Sequence, residues 1–377
     1  MRVLIALDKF KGSLTAAQAG EAVRDAWRRF YPEAEVDVCP IADGGEGTSD
    51  AVVAALGGEA AHAVVHDALG REKRACYGLL THGDALEAVM EMSAASGLVQ
   101  VADLPQEPLR ASTRGTGEMM LDAMRRGLER IVIGIGGSAT NDGGIGMAQA
   151  LGFEFLDADG NPVGELPQEF ESVCAIRAPR RGFPEILVAC DVRNPLLGES
   201  GATRVYGAQK GVRDFDFFER RLERLADIVR RDLGCDHRAT AGAGAAGGLG
   251  FGLMSFCGAR LVPGFDLVAD IIGLEERVRA ADVVITGEGK LDAQSLHGKG
   301  PMGVAQMARA ARKRVIGIAG VIEQGVGLEQ AFDLLLQVKP DAMPVQEAMM
   351  RGAELLEEKV VASADAIRGI LSNPTFL

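Results

Sequence analysis

The sequence predicts an α/β protein: a doubly wound parallel-sheet domain interrupted by an inserted second domain of mixed α/β type. Two observations carry this expectation. Strand-then-helix units occupy the first sixty residues and return after residue 281. Between them, residues 61–80 alternate as an antiparallel hairpin does.

Taken in order, residues 3–7 are a short apolar run of buried-strand type, followed by a loop at 8–13 and an amphipathic helix. The helix has an apolar face of Ala19, Ala22, Val23, Ala26, Trp27 and Phe30, a capping box of Thr15 and Gln18, and a stop at Tyr31-Pro32. A second unit follows, with a strand at 35–39, a glycine-rich loop at 42–47, a helix at 48–56 and Gly57-Gly58 as its end. Near the C-terminus come a strand at 282–286, a long loop at 287–300 and a helix opening at Pro301 with Val304, Met307, Ala308 and Ala311 inward. Strands at 314–318 and 332–338 complete five parallel strands in two blocks. Inside the insertion, strands at 85–90, 130–135 and 186–189 interleave with helices, one of them at 215–232. The expected division is 1–64 with 284–377 as one discontinuous domain and 65–283 as the other.

Composition narrows the function. The chain has 377 residues, with 53 acidic against 40 basic and a net charge of -13. That balance disfavours nucleic acid and anionic membranes, so no nucleic-acid or membrane partner is expected. A small anionic substrate would have to be held by locally placed Lys, Arg and backbone N–H groups. Gly accounts for 49 residues, about twice the 7% share of an average protein, which signals unusual backbone conformations or close approaches. The six cysteines are scattered without a C-x-x-C pair, and no export signal is visible, so reduced thiols in a cytoplasmic protein are expected. Residues 240–259 are uncharged and long enough to span a bilayer, but seven are Gly and only five are large and apolar, which argues against a span.

In an open α/β sheet, ligands gather beyond the carboxyl ends of the strands. Three loops there, at 8–13, 43–47 and 287–300, place Gly beside carboxylates or lysines, a composition suited to oxyanions or phosphates and equally found in tight turns with solvated charges. The densest signal is residues 131–144, where a strand runs into Gly134, Gly136, Gly137, Ser138, Ala139, Asn141 and Asp142. It matches the dinucleotide fingerprint G-x-G-x-x-G/A, but its place inside the insertion and the added Asn141-Asp142 suit phosphate or metal chemistry better. Asp191 ends an apolar run beside Arg193 and Asn194, the position of a general base or Mg²⁺ ligand and also of ordinary turn punctuation. Lys210 sits between glycines. No P-loop, protein-kinase signature, nucleophile elbow or H-E-x-x-H occurs, and of the histidines only His297 lies in a candidate loop.

Together these segments resemble the glycerate kinase family of the glycerate 2-kinase type. The resemblance rests on residues 8–14 (DKFKGSL), 42–48 (ADGGEGT), 115–118 (GTGE), 134–144 (GIGGSATNDGG), 190–198 (CDVRNPLLG), 209–211 (QKG), 247–253 (GGLGFGL) and 281–303 (ADVVITGEGKLDAQSLHGKGPMG), spread over essentially the whole chain. It implies ATP-dependent, Mg²⁺-assisted phosphorylation of D-glycerate to 2-phosphoglycerate, in a cleft between a flavodoxin-like domain and the inserted one, and leaves room for a homodimer. The chain departs from the family pattern at Lys9, where Ser is usual, and at Arg114, where an aromatic residue is usual.

Given the resemblance, Asp191 is expected to accept the glycerate hydroxyl proton and Lys11 to neutralise the transferring phosphoryl group. Ser13, Asp43, Gly44, Gly45, Glu46, Ser96, Arg114 and Thr116 are expected around glycerate. Gly136, Gly137, Ser138, Asn141, Asp142, Lys210, Gly287 and Lys299 are expected on nucleotide phosphates, and Glu288 and Asp292 on Mg²⁺. Three competing readings are a nicotinamide-dependent hydroxyacid dehydrogenase using Gly134 to Ala139, a non-catalytic anion sensor, and a kinase of another sugar acid.

Overall fold

The computed structural model describes residues 1–82, 85–293, 295 and 300–372. In chain order the strands are β1 (Arg2–Leu7), β2 (Glu35–Val38), β3 (Glu59–His66), β4 (Glu72–His82), β5 (Ala85–Glu91), β6 (Arg130–Gly134), β7 (Glu154–Leu156), β8 (Ala175–Arg177), β9 (Glu185–Ala189), β10 (Arg260–Val262), β11 (Val283–Leu291), β12 (Arg314–Ile322) and β13 (Leu334–Gln337). The chain divides into two compact units. One comprises residues 1–43, 50–57 and 265–377, the other residues 44–49 and 58–264.

The first unit holds a five-stranded, all-parallel sheet in the order β2-β1-β11-β12-β13. Numbered within the unit this is 2-1-3-4-5, the flavodoxin-like order. β1, the first half of β11 and most of β12 read as apolar runs and are buried almost throughout. The helix Ala16–Arg28 shows why sequence fixes such an element. Thr15 and Gln18 form the reciprocal capping box, and Ala19, Val23, Ala26 and Trp27 are fully buried along one stripe. They pack in one core with Val3, Ile5, Val283, Ile316 and Leu356.

Strands β11 and β12 run further than the sequence suggests. Residues 287–291 continue the strand instead of opening a loop, pairing Glu288 with Ala319 and Leu291 with Ile322. The glycines that read as loop residues make this pairing possible. A Cβ on Gly287 would lie 1.7 Å from the Ile318 carbonyl oxygen, so the two backbones approach at a distance no side chain allows.

The second unit is built on a six-stranded mixed sheet in the order β10-β9-β6-β5-β4-β3. β3, β4 and β5 are antiparallel, and the remaining pairs are parallel. The hairpin turn falls at residues 67–71, where Asp67 accepts from the backbone N–H of Leu69 and Arg71. A two-stranded ribbon of β7 and β8 flanks the sheet. Met90, Met119, Phe155 and Phe251 centre a single large core. The stretch 240–259 is a helix, Ala245–Cys257, whose Ala246, Gly247 and Gly248 are left-handed. Among the described residues no helix is long and apolar enough to cross a membrane, and all six cysteines are free thiols.

Candidate active site

In the first unit, the carboxyl ends of β1 and β11 open into a cavity of about 470 Å³. Asp8 follows β1 directly. Its backbone N–H donates to the Gly287 carbonyl at 2.9 Å, and its carboxylate takes the Lys9 N–H at 2.6 Å. The chain after β2 keeps pairing with β1, the Ile41 N–H reaching the Leu7 carbonyl, which brings Asp43 alongside. Glu288 comes from the extended part of β11. Burial pushes Asp8 up to about 6, with Lys9 opposing and Asp43 adding to the rise. Burial likewise pushes Glu288 up to about 7, against the Ser295 hydroxyl that donates to it and with Asp8, Asp292 and Asp43 reinforcing the rise. Lys9, Lys11 and Lys290 line the same cavity.

The chemistry of this donor set fits a divalent cation, which one or two of its carboxylates would hold. Among the described residues no group of three or more His, Cys, Asp or Glu is close enough to hold a metal by itself. Mg²⁺ commonly takes only one or two carboxylates and completes its shell with water and substrate phosphates. Mutually repelling carboxylates are the groups such a cation relieves. Glu288 meets that description. Asp292, expected to hold Mg²⁺ directly or through water, is paired with the Lys290 ammonium at 2.8 Å. Gly287, expected in a loop, stands at a buried position of β11. The Ser13 hydroxyl donates to the Met349 carbonyl at 2.6 Å, which makes it a tie to the cavity wall. Lys299 and His297 lie outside the described residues.

In the second unit, the loop after β6 is closed and largely bonded to protein, with Thr140 Oγ1 and Asn141 Oδ1 buried and lacking a hydrogen-bond partner. The Asp142 carboxylate is buried and accepts from the Thr113 N–H and hydroxyl and from the N–H groups of Gly144 and Gly146. Burial still pushes its pKa up, those donors opposing. Lys210, 3% exposed, donates to the Ser138 hydroxyl and the Thr140 carbonyl, both at 2.6 Å. Burial pushes Lys210 down to about 7, partly offset by Asp142. The Asn141 amide donates to the Thr203 hydroxyl. The side chains of Ser138, Asn141 and Asp142, expected on nucleotide phosphates, are buried, and each makes at least one hydrogen bond to protein. Gly136 and Gly137 alone of this loop's predicted set are exposed.

Ser96 and Thr116, expected around glycerate, are likewise interior. Both are 0% exposed, Thr116 Oγ1 donates to Ser96 Oγ, and the Ser96 carbonyl accepts the Ala139 N–H. Arg114 donates to Glu118, whose carboxylate also lies 2.9 Å from His66 Nδ1. Arg114 lines a separate polar cavity of about 300 Å³ with His66 and Arg110.

What the second unit does bring together is the set Gly44, Gly45, Gly136 and Asp191. A Cβ on Gly134 would lie 2.3 Å from the Gly44 carbonyl oxygen, and one on Gly136 3.6 Å from the Gly45 Cα. A Cβ on Gly44 would lie 2.6 Å from that of Ala189, the last residue of β9. Asp191 follows two residues later, exposed, with its Oδ1 accepting the Gly264 N–H at 2.9 Å. Gly264 is also the residue whose Cα lies 3.0 Å from the Gly44 Cβ position. Thr48 and Ser49 anchor the loop, Ser49 N–H donating to Glu91, and Glu46 stands exposed on it. The arrangement offers a carboxylate of fixed orientation at a strand end, among backbones that admit close approach of a small ligand.

Sequence reasoning passed over Asp8 and the apolar cavity wall at Val321, Val338 and residues 345–355. Asp8 carried the same signal as Asp191, a carboxylate just past an apolar strand. The wall carried none, being distant in sequence from every motif.

The glycerate kinase family matches the chain over residues 3–368. A glycerate kinase of Halalkalibacterium halodurans is 44% identical over 94% of this chain and 95% of its own, and the glycerate 2-kinase of Escherichia coli K12 is 42% identical over 94% of each. A crystal structure described as a glycerate kinase 2 of Salmonella typhimurium LT2 superposes with a TM-score of 0.89 at 40% identity, covering 99% of this chain and 100% of that one.

Proposed function

Because the chain belongs to the glycerate kinase family and is therefore a kinase, we propose that it transfers the γ-phosphoryl group of ATP to the 2-hydroxyl of D-glycerate, with Mg²⁺, giving 2-phosphoglycerate and ADP. The observation that carries the reading is Asp191, held by the Gly264 N–H at the end of β9 among the Gly44 and Gly136 backbones. In the second unit, Asp191 takes the proton of the glycerate hydroxyl as its oxygen attacks phosphorus. The new O–P bond forms as the bond to the β-phosphate oxygen breaks, and ADP departs with the electron pair. Gly44, Gly45, Gly136 and Gly137 supply the close backbone edges around the small acid, and Glu46 stands beside them. In the first unit, Asp8, Asp43 and Glu288 would supply the one or two carboxylates that hold Mg²⁺, whose charge would neutralise the polyphosphate, and Lys11 carries positive charge to the transferring group. The charge on Lys9, in place of the usual Ser, adds to the cations of the same rim. The six free thiols support a cytoplasmic setting.

The test is incubation of the protein with D-glycerate, ATP and Mg²⁺, the product coupled to enolase with and without phosphoglycerate mutase. Signal without mutase is expected. Signal only with mutase would mean the 3-phosphate and refute the proposed acceptor oxygen; ADP formation with another sugar acid alone would move the substrate.

A further inference from the structure

The first unit's cavity has two ends of opposite chemistry. One is the rim of Asp8, Lys11, Asp43 and Glu288. The other is aliphatic, made by Val321 and Val338 from the sheet edge and by Val345, Ala348, Met349 and Leu355 from the helices Val345–Met350 and Gly352–Ala362. We propose that this aliphatic alcove receives the adenine ring of the nucleotide, with the phosphates running out toward the carboxylate and lysine rim. The inference rests on the kinase reading for the identity of the nucleotide, and on the cavity alone for its location.

Four features favour the assignment. The cavity volume lies in the range of small-molecule sites, which pair an apolar lining with a few polar groups at one end. The helix Val345–Met350 buries none of its residues, Val345 being 58% exposed, yet it turns Val345, Ala348 and Met349 to the cavity. Two turns of helix gain little stability without an apolar partner, and a flat aromatic ring against that face supplies one. Met349 places its side chain where a polarizable thioether can meet the π-system of a base. The helix is also tied to the phosphate end: Ser13, in the loop that carries Lys11, donates to the Met349 carbonyl, and Lys339 donates to the Pro340 and Met343 carbonyls to fix the approach to the helix. Glycerate does not fit the same wall, since a small acid with two hydroxyls would lose hydration there and gain no polar partner.

The experiment is calorimetric titration of the full chain with Mg-ATP and, separately, with Mg-tripolyphosphate, which has the phosphates and no base. The variants are Ala348→Trp, which fills the alcove, and Val345→Glu, a change at an exposed position that puts a carboxylate on its edge. Both are expected to weaken ATP binding at least 10-fold and to leave tripolyphosphate binding within 2-fold, with the wild-type thermal midpoint retained by at least Val345→Glu. Steady-state KM for ATP should rise in parallel while KM for D-glycerate holds. ATP binding unchanged in both folded variants would overturn the assignment, as would a rise in glycerate KM alone, which would give the alcove to the acceptor. Failure of the kinase reading looks different: wild-type protein would bind Mg-ATP in an alcove-dependent way and phosphorylate no glycerate.

Discussion

The cavity rim of the first unit and the loop 134–144 of the second are composed alike, of glycines next to carboxylates, hydroxyls and a lysine, and they use those residues in opposite ways. At the rim, burial pushes Asp8 and Glu288 upward, Lys9 opposing the rise at Asp8 and the charges of Asp8, Asp292 and Asp43 adding to the rise at Glu288. In the loop, Asp142 is enclosed by four donors and Lys210 by two acceptors, so polar capacity is spent inside the protein. The glycines differ in the same sense. A Cβ on Gly247 would lie 1.9 Å from the Thr140 carbonyl oxygen, and Gly143 N–H donates to the Gly247 carbonyl, so the second unit's glycines serve contact between two stretches of backbone. The same composition thus lines an open cavity in one unit and is folded into the interior in the other.

The largest expected effect breaks the loop side of this comparison. Asp142→Ala strands three buried backbone donors and the Thr113 hydroxyl, and should cost about 3–5 kcal/mol of stability. Urea denaturation reads it directly. A variant of near-normal midpoint with a raised KM for ATP would return Asp142 to the role of a phosphate ligand. Next in size, Asp191→Asn should lower kcat by about 10² or more with glycerate binding nearly intact. Near-normal turnover would remove Asp191 from proton transfer and leave the second unit without a catalytic carboxylate.

A smaller effect sharpens the rim side. The folded-state pKa values of Asp8 and Glu288, about 6 and about 7, are raised above the ordinary 3.8 and 4.5. The stability they contribute is therefore complete below about pH 4 and is lost as pH rises through 6 to 7. The thermal midpoint of the ligand-free protein should fall between about pH 4 and 7 and level off above, Glu288→Gln should remove roughly half of that fall, and Mg-ATP should oppose it by stabilising the ionised form. A midpoint that climbs over the same interval would contradict the rim as described.

Much of the fold was legible in the sequence because its determinants are local. The capping box at Thr15 and Gln18, the apolar stripe to Trp27 and the hairpin turn after His66 each lie within one element, and two blocks of βα units implied the interrupted parallel sheet. Asp191 was legible as a candidate because it stands just past a strand end, where the structure gives its Oδ1 the Gly264 N–H. What stayed hidden depends on residues far apart. Ser138 meets Lys210 across 72 residues, and Ser13 meets Met349 across 336. Neither spacing nor composition reveals that those hydroxyls are already engaged, so Ser138 and Ser13 read as ligand groups. The strand extension through Gly287 was hidden for a related reason, since glycine signals a loop until the partner backbone at Ile318 is known.

The smallest predicted effect decides what Ser13 does. Its hydroxyl joins the loop bearing Lys11 to the helix Val345–Met350 by one hydrogen bond in a partly buried setting, a contact worth about 1 kcal/mol. A Cβ on Gly352 would lie 2.3 Å from the same hydroxyl oxygen, so the serine also sits in a close fit. Ser13→Ala keeps the fit and removes the bond. It should lower the midpoint slightly and raise KM for ATP only a few-fold, because the alcove wall loosens while every phosphate contact remains. Were Ser13 a direct ligand of glycerate, KM for glycerate would rise instead and the midpoint would stay put. Ser13→Thr tests the bond from the other direction: it restores the hydroxyl and adds a methyl against a crowded glycine, so stability should drop below that of the alanine variant even where the hydrogen bond is regained.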